Sequence, residues 1–366
     1  MKKAICSILL IFSLTMLNGC DSVKKFINTN DNSKSNTTNE ASSNSDSTSN
    51  TNVSTYTIKD FYPFKENEKY EYVGKGNEYA AFRSSVDFIK DNRIQLRKNN
   101  GGTEVVNVLE YKDGALKLIF SKEECYYRED FTTKPSNKDE FLLKEPLVKG
   151  TSWTLSDGRK RYISNVEVPI TTLLGSYKAL EVTTEKGADK TLDYYALNTG
   201  LVETIYNSKD SEVKSSINSI TPNLTLNQEV KFYYPDGNSG KLYFIKKELN
   251  FKTNDITKLA FEKVFKEAPL KDLNKLLGPN VKIKSLYLNG STVYVDFTKD
   301  FVQEMNAGSG TESLILQCIT NTLGEYYNAS KVYITIENAP YSSGHIIKKK
   351  GETFTVSTKN SVELNK

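Results

Sequence analysis

Four thiols, one imidazole and 45 acidic side chains are the groups in this chain that could do chemistry. The imidazole is His345, near the C-terminal end, and no GxSxG, HExxH, P-loop or GxGxxG-plus-acid pattern supplies it or any serine with a partner. Asp60 with Glu66, and Asp139 with Glu140, are spacings that could act as a carboxylate pair on a glycoside. Among so many acidic residues such pairs arise by chance. No CxxC or His/Cys spacing suits zinc, so neither a metal nor a cofactor is expected. Cys125 and Cys318 could form one disulfide in an oxidising compartment. They fall in different expected domains, however, and Cys318 lies on a helix beside Leu314, Ile315 and Ile319, which suits a buried free thiol. The inventory points away from an enzyme, with a peptidoglycan hydrolase as the catalytic alternative.

The remaining two thiols sit at the N-terminus. Lys2-Lys3 gives a positive start, and Ala4 to Leu17 is an uncharged, mostly apolar run. A helix of that length measures roughly 21 Å, short of a bilayer core of about 30 Å, so the run reads as a signal peptide over residues 1–19. Its end, Leu17-Asn18-Gly19-Cys20, resembles the bacterial lipobox, with Asn18 where a small or aliphatic residue is usual. That resemblance implies that Cys20 takes a diacylglyceryl group and becomes the first residue of the mature protein, anchored on the outer face of the cytoplasmic membrane. Residues 20–55 are then a tether. From Asn28 to Thr55 only Ala41 and Val53 are apolar, too little to offset the entropy of ordering, so disorder is expected. As a coil of some 30 residues it reaches about 30 Å.

Beyond the tether the composition is globular. The formal charge is +4, and +2 once Lys2 and Lys3 leave with the signal. That near-neutral balance, without a long basic cluster, excludes nucleic acid as a partner. Lys348-Lys349-Lys350 reads as a solvated turn. The length suggests two domains with a break near Thr221-Pro222-Asn223. The fold class expected is α+β: an antiparallel β-rich domain over 56–222 built on a curved sheet, then a small αβ domain over 228–338 and a C-terminal extension over 339–366. In the first, Tyr70 to Val73 and Arg93 to Arg97 alternate as half-buried strands do. Asp113-Gly114 marks a hairpin, and Gly175, Gly187 and Gly200 fall at turns of the continuing meander. Trp153 and the many tyrosines fill or border the sheet core, or else line a ligand groove. The phrases around Trp153, Tyr177 and Tyr194 loosely resemble strand-rich bacterial surface lipoproteins.

In the second domain, strands are expected over Glu229–Tyr234 and Lys241–Ile245. A helix capped by Asp255 should follow, burying Ile256, Leu259, Ala260, Val264, Phe261 and Phe265 and ending at Pro269. Val281–Leu288 and Ser291–Phe297 form a hairpin about Asn289-Gly290. Ser309-Gly310-Thr311-Glu312 reads as a capping box opening the Cys318 helix, and Lys331–Glu337 returns as a strand. With Val293-Tyr294-Val295-Asp296-Phe297, Gly308 to Glu312, Ile319 to Leu323 and Val332 to Ile336, this order resembles the GerMN domain of sporulation and spore-germination proteins. Ala268-Pro269 and Glu337-Asn338 stand where that family has Gly-Pro and Asp-Gly. The signature residues read as structural: Asp296 accepts backbone N–H groups of the next turn, and Asn321 and Thr322 bond neighbouring backbone.

The resemblance implies a non-enzymatic envelope lipoprotein whose GerMN-like domain contacts an envelope or spore-assembly protein. A ligand carrier using the β-rich domain is the alternative from a different class, and contact with peptidoglycan is a further expectation. The first test is at Cys20. Cys20→Ala should abolish lipid labelling and release the protein from membranes, because stable anchoring requires the two or three acyl chains of a bacterial lipoprotein. Equal membrane retention of the variant would assign the anchor elsewhere.

Overall fold

The computed structural model describes residues 56–237, 239–269 and 273–364. Cys20, the signal segment and the tether lie outside the described residues, which belong to one compact unit. The first element is the short helix α1 (Ile58–Phe61). Two six-stranded antiparallel meanders follow. The first runs β1 (Lys69–Lys75), β2 (Phe82–Lys90), β3 (Arg93–Asn99), β4 (Glu104–Lys112), β5 (Ala115–Lys122) and β6 (Glu140–Lys144). The second runs β7 (Ser152–Thr154), β8 (Lys160–Thr171), β9 (Ser176–Lys186), β10 (Asp189–Ala196), β11 (Gly200–Asn207) and β12 (Glu212–Thr221). Pairing of β1 with β12 fuses them into one twelve-stranded sheet whose edges are β6 and β7. The Asp113-Gly114 turn has both residues at positive φ, 50° and 66°, as the tight hairpin between Lys112 and Ala115 requires.

The sheet curls until its edges meet. Arg161 on β8 donates to Glu140 at 2.8 Å and to the Phe141 carbonyl at 2.7 Å, both on β6. The Trp153 indole on β7 donates to the same carbonyl at 3.1 Å. Inside the curl, Ile58 and Phe61 of α1 pack with Ile94, Leu116, Trp153, Leu180 and Tyr195. Trp153 is therefore a core residue.

Residues 222–225 carry the chain into a second region. Here β13 (Leu226–Pro235) and β14 (Leu242–Phe251) pair with the late strand β20 (Ser361–Glu363), parallel to β14. After α2 (Thr257–Phe265) come β15 (Ile283–Asn289), β16 (Thr292–Phe297), α3 (Asp300–Met305), α4 (Ser309–Tyr326) and β17 (Lys331–Ile336). Strands β16 and β17 are parallel, so α3 and α4 form the crossover a parallel pair demands. The segment 339–364, expected as an extension, is built into both sheets. Its β18 (Ala339–Pro340) and β19 (Phe354–Thr355) pair with β17, and β20 joins β14. It also packs onto α4 at Gly324, where an added Cβ would lie 2.2 Å from Val356 Cγ2 and 2.9 Å from the Ala329 carbonyl oxygen.

Helix α2 differs from its expected form at both ends. Its N-cap is Ile256, while the Asp255 carboxyl accepts from the Lys252 N–H at 2.7 Å. It stops at Phe265, before Pro269. Phe261, Val264 and Phe265 are buried, but Ile256 and Leu259 are exposed, at 53% and 51%.

One apolar cluster crosses both regions, beside the cluster inside the curl that belongs to the first alone. Val106, Val108, Ile119, Cys125, Tyr127 and Phe131 join one cluster with Phe232, Phe261, Leu316, Cys318 and Tyr327. Both cysteines are free and buried there, and burial pushes the Cys125 thiol up to about 11. The polar face of β3 is buried too: Gln95 and Arg97 hold the 125–131 segment through its carbonyls and the Phe131 N–H. From that segment Arg128, with no exposed surface, reaches into the second region. It donates to the Asp255 carbonyl, to that of Lys252 at 3.2 Å and to that of Asp87 at 2.8 Å. Asp87 sits at a bulge in β2, which frees its carbonyl for this role.

Removing Arg128 should therefore uncouple the two regions. Arg128→Ala is expected to cost about 3 kcal/mol, because a buried charge network loses one member and three carbonyls lose a donor. In urea, Trp153 fluorescence and far-UV circular dichroism should coincide for the native chain and separate for the variant. Coincident transitions in both would show that Arg128 is not the coupling.

Candidate functional site

Most chemistry-bearing residues singled out in the sequence are occupied with structure. Asp60 caps α1 through the Thr57 N–H at 2.7 Å and hydroxyl at 2.9 Å, and these bonds hold its carboxyl below the usual range. Glu66 accepts from the Asn254 amide at 3.4 Å. Asp139 pairs with Lys117, and Glu140 with Arg161 and Arg159. Among the described residues no group of three or more His, Cys, Asp or Glu could hold a metal, and no helix is long and apolar enough to cross a membrane. The space lined by Tyr62, Tyr70 and Tyr72 inside the curled sheet is about 30 Å³, room for a single water.

Asp296 is structural, though not at the turn that follows it. Its Oδ1 accepts from the Thr335 hydroxyl at 2.6 Å and the Asn338 N–H at 2.8 Å, bracing the turn after β17 instead. There Glu337 and Asn338 both take positive φ, 49° and 67°, a conformation that Asp-Gly adopts readily and glutamate does not. Lys284 compensates by holding the Glu337 carboxyl, aided by the Lys299 N–H at 3.1 Å, and these two bonds depress its pKa. Asn321 and Thr322 also act at long range from mid-helix. Asn321 exchanges two hydrogen bonds with the Ser357 backbone, and the Thr322 hydroxyl accepts from the Tyr233 N–H at 3.0 Å.

Two features stand out beyond their structural bonds, in which the Tyr333 hydroxyl accepts from the Gly351 N–H and Glu312 from two hydroxyls. The first is a row of tyrosines across three adjacent strands. Tyr287, Tyr294 and Tyr333 are cross-strand partners on β15, β16 and β17. Their neighbours Val293, Val295, Val332 and Ile334 point into the core, so alternation places the tyrosines on the opposite face. Ring centroids lie 5.3 Å apart for the first pair and 5.4 Å for the second.

The second feature surrounds Glu312. No capping box forms, since the N-cap of α4 is Gly308 and no side chain caps it. Glu312, 2% exposed, turns instead to the C-terminal segment, where its Oε1 accepts from the Tyr341 hydroxyl at 2.8 Å and the Ser343 hydroxyl at 2.6 Å. Burial, reinforced by that bond, pushes the Tyr341 phenol up and keeps it a donor. Oε2 accepts no hydrogen bond from the described residues. Beside it opens a cavity of about 460 Å³, lined by the end of α3, the start of α4 and the loop carrying Ser343 and His345. No spacing in the sequence joins Glu312 to partners 29 and 31 residues away.

Residues 231–342 match the profile of the Germane family, described as sporulation and spore germination. The chain thus carries a Germane domain that spans β13 to β18. Comparison with curated proteins returns no match. Among solved structures it is similar to the tandem GerMN domains of the sporulation protein GerM from Bacillus subtilis, at 18% identity over 37% of this chain and a TM-score of 0.27. The match spans 47% of that tandem chain, about half its length. The first GerMN domain alone is matched over 99% of its length, at 20% identity over 37% of this chain and a TM-score of 0.27. A protein described as a lipoprotein from Clostridium perfringens is similar at 14% identity, over 36% of this chain and 87% of that one, with a TM-score of 0.24.

The bracing role of Asp296 can be measured. Asp296→Ala should lower stability by about 2 kcal/mol in denaturant titration, since the Asn338 N–H loses its acceptor and the buried Thr335 hydroxyl keeps only the longer bond to the Val295 carbonyl. An unchanged midpoint would remove the carboxyl from the structural account.

Proposed function

We propose that this chain is a lipoprotein held at the outer face of the cytoplasmic membrane through Cys20, whose Germane domain docks an envelope or spore-assembly protein without catalysing a reaction. The observation that carries the reading is the Germane domain itself, joined by a tyrosine row on the face of its sheet opposite the core. Tyrosines are enriched among residues that dominate interfaces, because each presents a rigid apolar body and one polar tip. The family's description, sporulation and spore germination, supports such a setting. The curled sheet serves as a rigid mount, tied to the Germane domain by Arg128.

Tyr287→Ser combined with Tyr294→Ser tests this reading. Loss of an interface hot spot of 2 kcal/mol or more weakens binding by roughly 30-fold. Spore yield or germination should fall to that of a strain lacking the protein, while the unfolding midpoint and membrane attachment stay the same. Wild-type sporulation and germination in the variant would overturn the docking face, and wall hydrolysis by the purified chain on a zymogram would overturn the non-catalytic assignment.

A further inference from the structure

We propose that the cavity beside Glu312 is a binding site for a short neutral saccharide, held through hydroxyl or acetamido N–H donors. The Glu312 carboxyl is the anchor. Tyr341 and Ser343 both donate to Oε1, which fixes the group in place and leaves Oε2 without a donor. With Oε1 taken by those two hydroxyls, Oε2 is the acceptor left to meet an arriving ligand N–H or O–H. The cavity, at about 460 Å³, lies in the range of small-molecule sites.

The lining selects the class. The lining is mostly polar: Gln303, Asn306 and His345 can exchange hydrogen bonds with a polyhydroxylated ligand, and Val302 and Met305 add only a small apolar share. No lysine or arginine lines the cavity, so nothing offsets the repulsion between Glu312 and a phosphate or carboxylate. Glu312 also occupies the first turn of α4, where its charge already complements the helix dipole. The site deepens the envelope reading, which supplies the source of the sugar; the geometry stands without it.

The test uses the full chain carrying Cys20→Ala, titrated with N,N′-diacetylchitobiose and followed by calorimetry and saturation-transfer NMR. Saturable binding in the millimolar range is expected, with none for inorganic phosphate. Glu312→Gln keeps an acceptor for Tyr341 but turns a donor toward the ligand, and should weaken binding at least tenfold. His345→Ala with Gln303→Ala, both exposed positions, should do the same with an unchanged unfolding midpoint. No binding, or binding that survives both variants, overturns the proposal. Ethanolamine binding where the disaccharide does not would make this an ammonium site and overturn it equally. Failure here leaves the docking face untouched, because the tyrosine variants are read in sporulation and lie outside this cavity.

Discussion

The structure depends on one charge that cannot reach water. The Arg128 guanidinium is enclosed, and burial drives its pKa down from the ordinary value. It is held by the carbonyls of Asp87, Lys252 and Asp255, by the Asp87 carboxyl at 3.8 Å, and by the rings of Phe88 at 4.1 Å and Phe251 at 4.9 Å. Those partners come from the bulge in β2, the end of β14 and the turn into α2. The set is complete only if both regions are folded. The Arg128 backbone adds to the coupling, donating to the Tyr326 hydroxyl and accepting from that of Thr257. Together with the apolar cluster that crosses the boundary, this charge locks the two regions into one body.

That coupling explains what could be read from the sequence and what could not. Alternation and turn residues carried the strands from β3 to β5 and β8 to β11, and the β15–β16 hairpin, because those signals are local. The burial of Gln95 and Arg97 on the polar face of β3 was hidden. A polar stripe ordinarily faces water, and only the 125–131 segment, remote in sequence, covers it. Glu312 failed for a related reason. Its spacing from Ser309 satisfies a capping box, yet two hydroxyls from the C-terminal segment offer a better-enclosed site. Asn321 and Thr322 were recognised as hydrogen-bonding residues but assigned near neighbours, when their partners are Ser357 and Tyr233. Leu259 satisfied the helical period without being buried, since α2 uses a stripe centred on Phe261 and Phe265. Periodicity gives the face a helix could bury, and packing decides how wide that face is.

The edges of the sheets narrow the ways a partner could bind. An open edge strand invites another chain to pair with it. On β15, the Ile283 N–H donates to Glu262 at 2.8 Å and the Leu288 N–H to Glu129 at 3.1 Å, so carboxylates occupy positions a foreign strand would need. The edges of the large sheet, β6 and β7, are turned toward each other and bridged by Arg161 and Trp153. On β13, Thr322 of α4 takes the Tyr233 N–H. On β13 and β15 an incoming strand would thus find donors already engaged. What remains on the Germane domain is a face, the tyrosine row, and a concavity, the space beside Glu312.

The C-terminal segment gives that concavity its chemistry. Tyr341 is the last residue but one of the stretch that matches Germane, and Ser343 and His345 lie just beyond it. Ser343 fixes its loop through Ile346, whose N–H it accepts at 3.0 Å, and the chain then returns over α4 to complete both sheets. A segment with only two-residue and three-residue strands of its own is therefore held at both ends by the domain it closes. Substitutions in that loop can change the lining of the cavity without disturbing the sheets, because the load is carried by β19, β20 and the Asn321–Ser357 bonds. The Germane scaffold supplies Glu312, and the strap laid across it determines what Glu312 meets.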